Sequence, residues 1–317
     1  MIAIDFSMLS KCKLMRCAYQ LANLAEIADK LNLPVKVVIA KGQEETQPIL
    51  RRVRHLLSDN YDGVTVYIAK SDTFYYDDNW ERIAKLPAFK VCLSSSDILF
   101  REQTGQWKGR KGGAVQDRCD LYMPVNCSQW LMRECGHKTI PVAHRVSTQM
   151  FDLFASRHLA VAFLMDDIET LRDEFRQETT GLAGFMGNGA YGGRQKQEGI
   201  PDWVNLTFKW SAPAIKYLQH MLSYKACVDL RGNGDKSIRF VEAVLFGRTI
   251  LTKPQGSHYF PPLVNGQNAI IVDKWSDLQV DLDLWQAVAN HATTDYLHHW
   301  SQLAQFKTIL RRAKWPT

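Results

Sequence analysis

The stretch CVDLRGNGDKSIRFVEAVLFGRTIL, residues 227–251, decides how this chain is read. It opens as a short apolar run of the length and composition of a buried strand. Gly232 and Gly234 then interrupt the run, and bare backbone there lets a ligand approach more closely than side chains would. From Ser237 onward apolar residues recur at helical spacing, and a second apolar run starts at Thr249. Strand, glycine loop, helix, strand is the βαβ unit of a parallel sheet. The first turn of the helix presents N–H groups without intrahelical partners and the positive end of the helix dipole, a natural anion site. Ser237 either caps that helix or hydrogen-bonds an anion oxygen. Arg231, Lys236 and Arg239 add cations, with Asp235 among them. Arg239 and Glu242 are three apart and share a helical face, which sets a carboxylate about one turn beyond the anion. Ligands of open α/β sheets lie beyond the carboxyl ends of the strands, where this loop falls. A surface loop with a serine cap and solvated basic side chains is the alternative reading.

The same rhythm extends outward in both directions. Strands are expected at 2–6, 35–40, 64–68, 89–93, 121–125 and 139–142, with helices through Leu21–Leu31 and over 49–57. One helix is expected over 157–177. A second series follows: strands at 182–186 and 204–208, a helix at 214–221, a strand at 226–230, a helix at 237–246, strands at 249–251 and 269–272, and a helical end from 282 to 314. The fold expected is α/β, with two Rossmann-like domains facing a cleft. Residues 1–156 would form the first domain, 157–180 a connecting helix, and 181–295 the second domain. A last helix, 296–317, would pack back on the first domain.

The chain has 317 residues, 46% apolar and 23% charged, enough for two domains with cores of their own. Mean hydropathy is −0.25, and no apolar run approaches the roughly 18 residues that span a bilayer. The opening MIAIDFSML reads as a strand and not as a signal peptide, so a cytoplasmic protein is expected. There are seven cysteines and no CxxC; Cys119, Cys127 and Cys135 stand eight apart, which matches no zinc spacing. They are read as reduced, buried small hydrophobes. Lys and Arg number 39 against 33 Asp and Glu, a net charge of +6. This suits a phosphorylated ligand, another polyanion, or peripheral contact with an anionic membrane surface. Nucleic acid is not expected: no helix-turn-helix, zinc or RNP pattern occurs, and Arg51, Arg52 and Arg54 read as a solvated helix face. The first strand leads into Asp5-Phe6-Ser7 and not into a GxGxxG fingerprint, which argues against a dinucleotide-dependent oxidoreductase.

Arg231-Gly232-x-Gly234, followed by Ser237-x-Arg239-x-x-Glu242-Ala243 and Gly247, resembles the C-terminal signature of exostosin-like glycosyltransferases. More broadly, residues 181–272 are similar to the nucleotide-sugar site of glycosyltransferases of the GT-B fold. The resemblance implies that Glu242 binds the nucleotide ribose, while Ser237, Arg239 and the loop amides hold the pyrophosphate. Arg194, after the glycine-rich end of the strand at 182–186, is the basic residue expected to reach the diphosphate. Lys253 to Ser257 would line the same cleft. Retaining GT-B enzymes with two glutamates eight apart would need a glutamate at Gly234; its absence favours an inverting mechanism.

An inverting transfer needs a general base beside the acceptor hydroxyl. Three strand ends of the first domain offer one: Asp5, Asp97 and His144, the last two preferred. Phe74, Tyr75, Tyr76 and Trp80 either stack on a sugar ring or pack under the sheet. The basic loop 105–113 either clamps an anionic acceptor or is simply solvated. Asp281-x-Asp283 is the only D-x-D triplet, in a run of alternating apolar residues near the last helix, and is not read as a metal site. No cofactor or metal is expected; the arginines and the helix terminus would meet the diphosphate charge. The chain therefore reads as a hexosyl- or pentosyltransferase moving a sugar from a nucleotide-sugar donor to a glycan or other hydroxyl acceptor. A non-catalytic nucleotide-sugar or glycan-binding protein on the same scaffold is the alternative.

Overall fold

The computed structural model describes residues 1–7, 16–40, 43, 48–75, 77–94, 115–125, 127, 129–143, 146–187, 198–208, 212–230, 237–255 and 258–316. The chain forms two compact units, one of residues 1–142 with 302–317, the other of residues 143–301. Helix 302–312 thus belongs to the first unit, and residues 143–180 to the second.

The first unit carries six parallel strands, β1 (Ile2–Asp5), β2 (Val35–Val38), β3 (Leu57–Ser58), β4 (Val66–Lys70), β5 (Phe89–Ser94) and β6 (Leu121–Pro124), in the order β3-β2-β1-β4-β5-β6. This is the doubly wound order of a Rossmann fold, with its switch point between β1 and β4. Helix α1 (Arg16–Lys30) buries Leu21, Leu24, Ala25 and Ile27 of the apolar stripe read from the sequence, and Ala28 beside them, while Leu31 of that stripe follows the helix and is half-buried. Asn23 on α1 donates to Gln302 Oε1 at 2.5 Å, tying in the last helix. Short helices α2 (Ser71–Tyr75), α3 (Asp77–Ala84) and α4 (Gln129–Cys135) complete the unit.

The second unit carries β7 (Gly181–Gly187), β8 (Val204–Phe208), β9 (Tyr224–Val228), β10 (Thr249–Thr252) and β11 (Ile270–Ile271), all parallel, in the order β11-β10-β9-β7-β8. Numbered within the unit this is 2-1-3-4-5, whose switch point lies between β7 and β9. Its helices are α5 (Thr148–Ser156), α6 (Ala160–Leu164), α7 (Ile168–Glu174), α8 (Ala214–Leu222), α9 (Ile238–Leu245) and α10 (Leu282–Asp295).

Several expectations are corrected. The helix over 157–177 is instead α6 and α7, because His158 and Asp166 adopt positive φ (59° and 60°) and Asp167 caps a fresh start by accepting from Thr170 N–H at 3.2 Å. Residues 139–142 run beside β6 without becoming a strand: one bridge joins Tyr122 to Thr139, and Ile140 N–H and Val142 N–H donate to Tyr122 O and Pro124 O at 2.9 and 3.0 Å. The stretch 49–57 is a 3₁₀ helix, Pro48–Leu56, kinked at Val53 and running into β3. Arg52 on it is not a solvated residue: its guanidinium makes a two-pronged contact with Glu26 on α1, at 2.7 and 2.8 Å. The C-terminal helical stretch is broken by a π-turn, Tyr296–Trp300, before the helix Gln302–Arg312. Phe74 is fully buried against Tyr67 and so belongs to the core; Tyr76 lies outside the described residues. Asp281 of the D-x-D triplet caps α10, accepting from Leu284 N–H at 2.9 Å. Cys92, Cys119 and Cys127 are buried thiols, as expected, whereas Cys135 and Cys227 are only half-buried.

One glycine of the decisive stretch is required by conformation. Gly247 follows α9 with φ +66°, and a β-carbon there would lie 3.3 Å from the Arg172 guanidinium. That guanidinium closes the helix, donating to Leu245 O at 2.8 Å and Val244 O at 3.2 Å. Gly247→Ala is expected to cost about 1–2 kcal/mol, read as a lower urea midpoint with an unchanged m-value.

Candidate functional site

The site is built where β9 ends. Asp229 follows the strand directly and is 2% exposed. Ser237 Oγ donates to Asp229 Oδ1 at 2.5 Å and accepts from Phe240 N–H at 3.2 Å, so the hydroxyl caps α9 and ties it to the strand end. Of the two roles the sequence allows Ser237, capping is the one formed. Its proton is committed to Asp229, which leaves anion binding to the helix amides and nearby cations.

Arg239, the second residue of α9, lies at the switch point. Its guanidinium sits 4.9 Å from the ring centroid of Phe185 on β7, and Nη2 donates to Leu230 O at 2.9 Å, just past β9. Its Nε is buried and has no acceptor among the described residues. A guanidinium with an unmet donor, beside a capped helix N-terminus at the carboxyl ends of two adjacent strands, is a place for an anion.

Glu242 faces inward and is 2% exposed. Its Oε1 accepts from Ser147 N–H at 2.8 Å, and the Ser147 and Tyr217 hydroxyls also bond the carboxylate. Burial raises its pKa above the ordinary 4.5, a shift opposed by the Ser147 and Tyr217 hydrogen bonds and by Arg239. Burial and then the Glu242 charge push the Tyr217 phenol up in turn. Ser147 is itself the cap of α5, accepting from Met150 N–H at 3.2 Å, so Glu242 links the site helix to the start of α5.

Beyond β10 and β11 lies a cavity of about 260 Å³, lined by Lys253, Pro254, Gln255, His258, Tyr259, Pro262, Leu263 and Ile271. Gln255 joins it to the helix cap: Nε2 approaches Asp229 Oδ2 at 3.5 Å and Thr252 Oγ1 at 3.3 Å.

Of the residues expected at the donor site, Ser237, Arg239 and Glu242 are brought together here. Arg194, Arg231, Gly232, Gly234, Asp235 and Lys236 lie outside the described residues, as do the candidate bases Asp97 and His144 and the basic loop 105–113. Asp5, the third strand-end carboxylate, is occupied: it accepts from the Tyr61 and Tyr67 hydroxyls and from Ser7 N–H, with Arg82 at 3.5 Å. It fastens the end of β1 and is not open to an acceptor hydroxyl. Asp229, Ser147, Tyr217 and Phe185 were missed as site residues. A carboxylate directly after an apolar strand run was a usable signal for Asp229; nothing in the sequence ties Ser147 to a glutamate 95 residues later. Among the described residues no group of His, Cys, Asp or Glu could hold a metal ion, and no helix is long and apolar enough to cross a membrane.

No protein-family model matches the chain, and no curated protein matches its sequence. Solved structures match it in fold. A glycosyltransferase from Rickettsia africae aligns with a TM-score of 0.52 at 9% identity, covering 99% of this chain and 97% of its own. HepE from Anabaena, in complex with UDP-glucose, aligns at 0.47 with 11% identity over 99% of each chain. A UDP-GlcNAc 2-epimerase from Neisseria meningitidis, bound to UDP-GlcNAc, aligns at 0.44 with 10% identity over 99% of each. At such identities the likeness is one of fold: the chain has a GT-B-type fold of two Rossmann-like α/β domains.

Two measurements check the site's architecture. Ser237→Ala removes the cap and one donor to Asp229, and is expected to cost about 1–2 kcal/mol in chemical denaturation. For Glu242, the raised native pKa means that the folded state holds its proton more tightly than the unfolded one. The corresponding stability is complete below the unfolded value near 4.5 and is lost as pH rises through the native value. Glu242→Gln, which stays neutral, lacks this loss; the stability difference between the two proteins should change over that window by at most ~1.4 kcal/mol per pH unit.

Proposed function

We propose that this protein is a nucleotide-sugar-dependent glycosyltransferase whose donor site is the switch point of the second unit. The observation that carries the reading is the Arg239 guanidinium, its Nε unmet, beside the capped start of α9 and across from Phe185. A diphosphate offers acceptors for that donor and for the first-turn amides. The fold, shared with a solved glycosyltransferase, supports the same reading, as does the exostosin-like pattern of residues from Arg231 to Gly247.

In this reading Arg231, Gly232, Gly234, Asp235, Lys236 and Arg194 complete the diphosphate cradle. As the bond from the anomeric carbon to the phosphate oxygen breaks, negative charge grows on the leaving diphosphate. Arg239 and the helix start meet that charge with preorganised donors, so no metal is required. Glu242, its buried carboxylate taken up by Ser147 and Tyr217, supports the donor site from behind by keeping α9 in register with α5, and not by contact with the ribose that the resemblance implies. A base, for which Asp97 and His144 are the candidates, takes the acceptor's proton as its oxygen attacks from the face opposite the leaving group, giving inversion. The acceptor is a glycan or other hydroxyl compound.

Thermal-shift measurement against UDP, GDP, CMP and dTDP and their sugars tests the reading directly. One nucleotide is expected to raise Tm, by an amount that grows with ligand concentration as binding linkage requires. Arg239→Ala should lower kcat about a hundredfold, and Glu242→Ala should raise the donor KM. Unchanged kinetics in both variants would remove the assignment of the site. Binding without turnover on any acceptor would favour the non-catalytic alternative.

A further inference from the structure

We infer that the outer face of the helix Gln302–Arg312, with the turn that follows it, is a docking surface for an anionic lipid bilayer. The surface belongs to the first unit and is independent of the donor site. Two stripes divide the segment. Leu303, Phe306, Ile309 and Leu310 fall at i, i+3, i+6 and i+7, and all four are buried. Lys307, Arg311 and Lys314, at i, i+4 and i+7, form a second stripe and are exposed, with Arg312 exposed beside them.

These charges are not spent within the protein. No Asp or Glu occurs between Ser301 and Pro316. Among the described residues none of the four cations is in an ion pair; Arg311 Nη2 donates to the Thr308 hydroxyl at 2.9 Å. The helix packs on α1, where Asn23 meets Gln302. The nearest acids of α1 are taken on its other contact: Glu26 holds Arg52, and Asp29 meets His55 at 3.1 Å.

The turn after the helix carries the second observation. Lys314 adopts φ 53°, the left-handed conformation that glycine takes after a helix at little cost and a long side chain does not. Trp315 N–H then donates to Leu310 O at 2.9 Å and Lys314 N–H to Arg311 O at 3.2 Å, which closes the helix. A cation is thus kept where glycine would hold the same turn more cheaply. The helix dipole favours a cation at this end, but it requires neither four of them nor one in a left-handed position. Trp315, next in the chain, is half-buried.

Charge and shape choose the occupant. A row of unpaired cations with a tryptophan at its edge fits a surface whose negative charge is spread out and whose boundary is where tryptophan settles, an anionic bilayer. A single-stranded nucleic acid would be met by a groove with several exposed rings to stack its bases, and this segment offers one ring, half-buried. The apolar stripe is used up in the core, so the helix lies against the headgroups and does not sink among the acyl chains.

Sedimentation of the full chain with vesicles tests the surface, using phosphatidylcholine alone and phosphatidylcholine mixed with phosphatidylglycerol. The protein should bind the mixed vesicles, ignore the neutral ones and be released by high salt. Lys307→Gln, Arg311→Gln and Lys314→Gln together should weaken binding about a hundredfold, at about fivefold for each charge. Lys314→Gly separates docking from folding: binding should fall about fivefold while Tm holds or rises, because glycine relieves the turn. No binding to the mixed vesicles, equal binding to the neutral ones, or unaltered affinity in the triple variant overturns the surface. Tighter binding of single-stranded RNA or duplex DNA through the same residues assigns the face to nucleic acid and overturns it as well. Each of these results leaves the donor site standing.

Discussion

The hydrogen bond from Ser237 to Asp229 is the joint on which the second unit's site turns. It makes the end of β9 and the start of α9 one piece, although seven residues separate Asp229 from Ser237 in the chain. The hydroxyl is doubly used, donating to the carboxylate and accepting from Phe240 N–H, so neither α9 nor the strand end can shift without breaking a buried contact. The other end of the helix is closed with equal care by Arg172 and Gly247. A short helix, pinned at both ends, presents its N-terminus in a constant place, which is what recognition of a diphosphate ester demands.

Polar groups at the carboxyl ends of the two sheets are treated differently, and the difference is informative. Asp5, at the end of β1, has both oxygens met by neighbours, and burial together with the Asp5 charge keeps the Tyr61 and Tyr67 phenols protonated above their ordinary range. That cluster is finished without a ligand. Arg239 Nε and Gln255 Oε1, one a donor and one an acceptor, are each left without a partner among the described residues. Buried polar groups are rarely left so, because each costs free energy.

Much of this was legible in the residues. The βαβ rhythm, the capping serine, the glycine after the helix and the apolar stripe of α1 all rest on local rules: period, cap chemistry and backbone freedom act over a few residues. The missed features share another cause. Arg52 looked solvated because its partner Glu26 lies on another helix, and Phe74 looked like part of a loop because the ring it meets, Tyr67, is on β4. The long helix over 157–177 failed at His158 and Asp166, where two left-handed residues redirect the chain despite suitable apolar spacing.

The sequence alone determined the α/β class, the two series of parallel strands and the anion-suited start of the helix at 237, because hydrophobic period and helix capping are written in neighbouring residues. Only the tertiary structure decided that Glu242 faces Ser147, that Arg239 crosses to Phe185, and that Gln255 borders a cavity. Those facts depend on which strands lie side by side, and strand order is set by packing among segments far apart in the chain.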